Sequence, residues 1–161
     1  MAKQIEKKSA KQKKKEYADS QQNYFEAILQ LRGHTEKQFN EIVDYIDAND
    51  CKIAKHVIVN TYDIDLYLSS QKFIQQLGRW LKIHYNNVNI LSTRTLHTRD
   101  TKANKDLYRV TLCVRFLKYG IGDIVEYRGD KIKITAMGLK PSGKILETGK
   151  RVFLDPRVLL D

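Results

Sequence analysis

Apolar positions along the chain fall into short runs of period two, interrupted by two longer stretches of period 3.6. Tyr24-Phe25-Glu26-Ala27-Ile28-Leu29-Gln30-Leu31-Arg32 is an apolar and aromatic run stopped by Gly33, which predicts a first strand. Thr35 then stands as an N-cap with Gln38 three residues on, the two halves of a capping box. Phe39, Ile42, Val43 and Ile46 follow at i, i+3, i+4 and i+7 and mark one apolar face of a helix. Glu41, Asp44 and Asp47 lie off that face and make this helix, residues 35–48, locally acidic. His56-Val57-Ile58-Val59-Asn60 and Ile64-Asp65-Leu66-Tyr67-Leu68, parted by Thr61-Tyr62-Asp63, predict a hairpin. On its second strand Ile64, Leu66 and Leu68 share one face, and Asp65 and Tyr67 the other. Ser69 or Ser70 caps a second helix, whose stripe is Phe73, Ile74, Leu77, Trp80 and Leu81. Gly78 inside that stripe either weakens the helix by about 1 kcal/mol against Ala or permits close packing.

Residues 88–96 and 107–117 predict two further strands, joined by a polar, basic linker over residues 97–106 that suits an exposed hairpin tip. Along the second of them Leu107, Arg109, Thr111, Cys113 and Arg115 point one way. Tyr108, Val110, Leu112, Val114 and Phe116 point the other way and form the expected core face. The order β-α-β-β-α-β-β predicts an α+β protein: a ferredoxin-like split βαβ sandwich with an added strand. Residues 118–161 change character. Short β runs alternate with turn signals at Gly129-Asp130, Pro141-Ser142-Gly143 and Gly149, which predicts a small β-barrel of SH3 or OB type. The expected organisation is a flexible basic tail over 1–20, a ferredoxin-like domain over 21–118 and a small barrel over 119–161.

Charge sharpens this picture. The chain of 161 residues carries 29 Lys and Arg against 19 Asp and Glu, a net +10. The excess is concentrated in two places. In residues 1–20, Lys3, Lys7, Lys8, Lys11, Lys13, Lys14 and Lys15 stand against Glu6, Glu16 and Asp19. In residues 86–118, Arg94, Arg99, Lys102, Lys105, Arg109, Arg115 and Lys118 stand against Asp100 and Asp106. A basic excess gathered in this way points to a polyanionic partner. The tail has too few apolar residues to offset its ordering entropy. No run approaches the roughly 20 apolar residues that a membrane-crossing helix needs, and the basic N-terminus lacks the apolar core of a secretory signal. The sequence thus predicts a soluble cytoplasmic protein.

The candidate RNA-binding set is Arg94, His97, Arg99, Lys102, Lys105, Arg109, Arg115 and Lys118, with Lys13, Lys14 and Lys15 in the tail. Arg suits bidentate contact to phosphate and Lys a point charge. Tyr67, on an outward face, offers a ring for an unpaired base. His97 is placed for stacking or phosphate contact at the hairpin tip; the plainer alternative is a solvated loop histidine. His56 and His84 are read as structural. Lys118-Tyr119-Gly120-Ile121-Gly122-Asp123 contains GxG but lacks a third Gly and a following helix, so it is read as a linker rather than a phosphate loop. The two cysteines, Cys51 and Cys113, form no CxxC pair and are read as small buried hydrophobes; no metal ligand set and no cofactor is expected. No motif supports a catalytic nucleophile.

Five segments, in order, resemble the large-ribosomal-subunit export and assembly factor family, also called the nonsense-mediated-decay-protein-three family. They are Tyr24 through Arg32, Tyr62-Asp63-Ile64-Asp65-Leu66-Tyr67-Leu68-Ser69-Ser70, Arg94-Thr95-Leu96-His97-Thr98-Arg99-Asp100, Asp106 through Arg115, and Gly122-Asp123-Ile124-Val125-Glu126-Tyr127. The match is nearer the archaeal form. The resemblance implies a region made of a ferredoxin-like part and a small barrel, likened to translation factor five-A. It implies binding to the large ribosomal subunit near the E site and the L1 stalk, in company with assembly factors such as translation initiation factor six. The family's zinc-binding CxxC pairs have no counterpart here, so zinc is not carried over, and nuclear export is not expected either. The leading expectation is a non-enzymatic factor docking on large-subunit rRNA by its basic hairpin, with no membrane and no small-molecule substrate. The alternatives are an RNA-processing enzyme and a protein–protein adaptor using the acidic helix 35–48.

A structural zinc would add folding free energy that a chelator removes. The expected outcome is that EDTA leaves the melting temperature unchanged and that metal analysis finds less than about 0.2 zinc per chain. A stoichiometric metal would overturn the reading of Cys51 and Cys113.

Overall fold

The computed structural model describes residues 24–160. The basic tail, with Lys13, Lys14 and Lys15, lies outside the described residues. Among the described residues, two helices and two sheets, of five and four strands, make the α+β class expected from the sequence.

The first strand, β1 (Ala27–Arg32), is shorter than the apolar run that announces it: Tyr24 and Phe25 precede it, and Glu26 is a bend whose amide donates to the Leu68 carbonyl and whose carbonyl accepts from the Val110 amide. Gly33 ends it at φ +66°, in the left-handed region that favours glycine. Helix α1 (Glu36–Ala48) opens on the expected capping box: the Gln38 amide donates to Thr35 Oγ1, and the Gln38 side chain accepts from the Thr35 amide. Ile42 and Ile46 are its fully buried positions. Strands β2 (Ile53–Asn60) and β3 (Asp63–Leu68) form the expected hairpin. Ser70, not Ser69, caps helix α2 (Gln71–His84) by accepting from the Phe73 amide at 3.2 Å. Ser69 instead accepts from the Lys52 amide.

Strands β4 (Val88–Asp100) and β5 (Lys105–Phe116) run further toward the tip than the sequence pattern implies. The presumed loop at residues 97–106 is mostly strand, and only residues 101–104 turn. Two features allow this. A bulge between Leu96 and Thr98 absorbs one residue and lets pairing resume at Thr98↔Leu107. At the turn, Asp100 accepts from the Lys102 and Ala103 amides while Asn104 adopts φ 48°. His97 and Arg99 are therefore strand residues.

The five-stranded sheet has the order β2-β3-β1-β5-β4, with β1 parallel to β5 and every other neighbour antiparallel. The returning strand of the last hairpin, rather than its first, lies against β1. One face carries both helices. Leu29, Leu31, Leu66, Leu68, Leu112 and Val114 from the strands meet Ile42, Ile46, Ile74, Leu77 and Leu81 from the helices. Each such residue, fully buried, contributes about 1.5–3 kcal/mol.

A second hydrophobic cluster contains Leu117, Val125, Ile132, Ile134, Leu154 and Leu159. It lies against strands β6 (Ile124–Tyr127), β7 (Asp130–Ala136), β8 (Ser142–Ile145) and β9 (Arg151–Phe153), paired in sequence order, and a 3-10 turn at Pro156–Leu159, with Leu117 and Leu154 contributed by the residues that follow β5 and β9. Ser142 and Gly143, expected in a turn, are strand residues. A Cβ on Gly143 would lie 2.6 Å from the Lys133 carbonyl oxygen, so this glycine marks a close approach of β8 to β7 rather than a bend. The Ile121 amide donates to the Asn86 carbonyl, and Asn89 Nδ2 to the Gly138 carbonyl at 3.0 Å; these bonds join the second unit to the foot of β4.

Outside the sheet, Tyr45, Trp80 and His84 stack at 4.2 and 4.6 Å, and the Tyr85 hydroxyl donates to Glu41. That hydroxyl, with Lys37 and His84 nearby, holds the Glu41 carboxyl below its ordinary value of 4.5. Burial, and then the same carboxylate, push the Tyr85 phenol up. A carboxyl whose pKa is lowered by folding stabilises the fold above its unfolded pKa, and that contribution is lost as pH falls through the lowered value. Glu41→Gln should therefore melt at a lower temperature than the wild type above about pH 5. The gap should close as the pH falls below about 4; a gap that persists at low pH would show that the bond does not act through the carboxylate.

Candidate nucleic-acid interface

The offset between two neighbouring strands creates the most distinctive surface of the molecule. Ala27, the first residue of β1, pairs with Val110 of β5. Residues 105–109 of β5 thus run on past β1, still paired to β4 on one side but with no strand on the other among the described residues. The chain enters β1 alongside this free edge through Tyr24, Phe25 and Glu26, and the Val110 amide donates to the Glu26 carbonyl at 3.3 Å. Between the overhang and the entering chain lies a cleft of about 610 Å³. Four of the sequence-predicted residues, Arg94, His97, Lys105 and Arg109, line it together.

Register assigns these residues to different sides of the hairpin. Arg94 pairs with the buried Val110 and so lies on the helix-bearing side, whereas Arg109 pairs with Thr95 on the opposite side. The cleft collects both because it wraps the open edge of β5. Arg109 is half-buried, with its guanidinium carbon 4.0 Å from the centroid of the Phe25 ring. Its buried Nε has no hydrogen-bond partner, and no carboxylate among the described residues forms an ion pair with it. The guanidinium of Arg94 stands 5.9 Å from the Tyr108 ring. At the inner wall, Glu26 accepts from the Tyr24 hydroxyl with one oxygen and from the Gln71 amide with the other. This second contact sets a carboxylate at the start of α2, where the helix dipole favours it.

The other predicted residues do not join this group. Arg99 is held at the tip, donating to Asn104 Oδ1 at 2.6 Å with Asp106 3.9 Å away, and Lys102 is exposed in the turn. Arg115 stands six residues beyond Arg109 on the same strand, roughly 20 Å at strand rise. It lines a smaller cavity of about 180 Å³ with Asn89 and Arg157. Lys118 lies past the end of β5, 5.5 Å over the Tyr119 ring. Tyr67 is not open for stacking: its ring meets Phe25 edge-on at 4.7 Å, and Lys55 Nζ lies over it at 4.3 Å.

Sequence reasoning missed the aromatic members of the cleft. Tyr108 alternates in phase with Val110, Leu112 and Val114, which are buried, so it reads as core; in the structure it is 44% exposed. Its cross-strand partner Leu96 is 55% exposed, because both sit on the overhang beyond the helical layer. Tyr24 and Phe25 read as strand residues and prove to be the cleft's inner wall. The one available signal was the adjacency of Tyr108 to Arg109.

Among the described residues, no group of three or more His, Cys, Asp or Glu is placed to hold a metal ion, and no helix is long and apolar enough to cross a membrane. Cys51 and Cys113 are both free, and burial pushes the Cys51 thiol up. Acidic helix α1 has Glu41 committed to Tyr85 and leaves Glu36, Asp44 and Asp47 exposed. No protein-family model matches the chain, and no curated protein matches it.

Because Arg109 is held before binding and Lys102 is not, their neutralisation should differ in effect. Arg109→Met keeps the stem packing and should weaken RNA binding at least tenfold, since a hydrogen bond to a charged group is worth about 1.5–3 kcal/mol. Lys102→Met should cost less than about fivefold, within the range of an exposed charge. Anisotropy titrations, with melting curves as the folding control, check this; a larger loss from Lys102→Met than from Arg109→Met would place the binding surface at the tip.

Proposed function

We propose that this protein is a non-enzymatic RNA-binding factor that docks on the large ribosomal subunit. The observation that carries the reading is the meeting of Arg94, His97, Lys105 and Arg109 with aromatic rings in one cleft along the free edge of a projecting hairpin. A cleft of this composition offers phosphate neutralisation and stacking together, the two interactions on which recognition of unpaired RNA rests. The five family-like segments supply the partner: rRNA of the large subunit, near the E site and the L1 stalk. They also suggest a role in subunit maturation within the cytoplasm, alongside other assembly factors. Arg115 and Lys118, at the far end of β5, and the tail lysines then add a diffuse, salt-sensitive contribution.

A ferredoxin-like first unit is supported by β3 lying between β1 and β2, with both helices on one face. The hairpin β4–β5 at the edge beside β1 is the departure from that plan, with β5 as the inserted strand. For the second unit, four strands paired in sequence order support an SH3-like form over the five-stranded OB form.

The test is co-sedimentation of the full chain with large subunits across a salt series. With about 5 phosphates neutralised, log K should fall against log salt with a slope of roughly −3.5 to −4.5. Reversing Arg94 and Lys105 together to Glu should abolish association while circular dichroism stays unchanged. Deleting residues 1–16 should lower affinity only about tenfold, because its lysines add charge without the aromatic contacts of the cleft. A slope near zero, or loss on tail deletion but not on the double reversal, would contradict the proposal.

A further inference from the structure

We propose that the cleft beside the β5 overhang is a seat for one unpaired nucleotide, with its base against Tyr108 and its phosphate at the cations lining the same cleft, Arg94 beside that ring and Arg109 across the strand edge. This rests on the RNA-binding reading above and narrows it from a basic surface to a site that discriminates single-stranded from paired RNA. The volume of about 610 Å³ lies within the roughly 300–1,000 Å³ typical of small-molecule sites. It is too small for a helix of RNA to enter.

The chemistry of the lining matches the three parts of a nucleotide. Arg109 is a fixed cation: the Phe25 ring supports its guanidinium, and no described carboxylate forms an ion pair with it, which leaves its charge for a phosphate. Tyr108 presents a ring that is 44% exposed, a stacking platform tolerant of any base. The overhanging edge of β5 carries backbone donors and acceptors that no described strand engages, and these face the cleft where the edge of a base would lie. Glu26 and Asp106 also line the cleft. They disfavour an occupant that is anionic throughout and favour one phosphate joined to a neutral ring. A base inside a duplex has both faces covered by its neighbours, so paired RNA reaches the cations here but not the Tyr108 platform.

The experiment uses the full chain at one fixed salt concentration, with a single-stranded oligouridine of about ten nucleotides and a blunt RNA duplex of similar charge as the two probes. Stacking on an aromatic side chain is worth about 1–3 kcal/mol per base. Tyr108→Ala should therefore weaken the single strand about tenfold and the duplex less than about twofold, and Tyr108→Phe should restore the wild-type ratio. Ultraviolet cross-linking of the wild-type chain to oligouridine, mapped by mass spectrometry, should mark Tyr108, Phe25 or Tyr24; this readout stands even if Tyr108→Ala fails to fold. Equal losses on both probes, no loss on the single strand, or cross-links confined to other elements would overturn the proposal and leave RNA binding by the hairpin intact. If the wild type bound neither probe, RNA binding itself would fall and the proposal with it.

Discussion

The parallel pairing of β1 with β5 is the constraint on which the remaining geometry depends. It joins the first strand to the last of the sheet, across more than half the chain, and the register Ala27↔Val110 is fixed by burial. Shifting it by one residue would turn Leu29 and Leu31 away from Leu112 and Val114 and expose the core they form with the helices. That register leaves residues 105–109 without a partner on one edge. It also brings Tyr24, Phe25 and Glu26 alongside them. The cleft is thus a consequence of how the core packs, not a separate feature added to it.

Helix α2 is tied to the same place. The Gln71 amide, at its first turn, binds the Glu26 carboxylate at 3.0 Å, and Glu26 immediately precedes β1. One acid therefore anchors a helix start, receives the Tyr24 hydroxyl and borders the cleft. On the far side of the overhang, Phe25 supports Arg109 and is itself braced by Tyr67, over which Lys55 lies. This chain of contacts holds a guanidinium in place without neutralising it by a carboxylate. The opposite arrangement occurs nearby on the same sheet: Arg32 is paired with Asp65 at 2.7 Å and is spent within the fold. Arg109 has no such carboxylate partner among the described residues, and that contrast puts it at the centre of the candidate site.

Much of the fold was legible in the sequence because its signals are local. The capping box at Thr35 and Gln38, the stripe in α2 and the alternation in β3 each express a periodicity that burial enforces within a few residues. The signals that failed were those set by distant partners. Tyr108 carries the period of a core residue, and only the ends of the helical layer decide that it is exposed. The polar composition of residues 97–106 reads as loop, yet a two-stranded projection that lacks a covering layer has no need of apolar residues, so strand and loop look alike there. Ser142-Gly143 reads as a turn because glycine commonly marks one, whereas here the glycine lets β8 approach β7. For the candidate site, charge density pointed to the hairpin that borders the cleft. It could not separate Arg94, Lys105 and Arg109 from Arg115 and Lys118, because strand length is invisible in a list of charges.

The central claim is that RNA engages the unpaired edge of β5 and the chain beside it. Hydrogen exchange of the backbone amides, measured with and without a saturating single-stranded RNA, tests this most directly. The account predicts new protection at residues 105–109 and at Phe25 and Glu26, with α1, α2 and β2 unchanged. Protection confined to the β6–β9 sheet or to the outer faces of the helices, with the β5 edge unaffected, would contradict it.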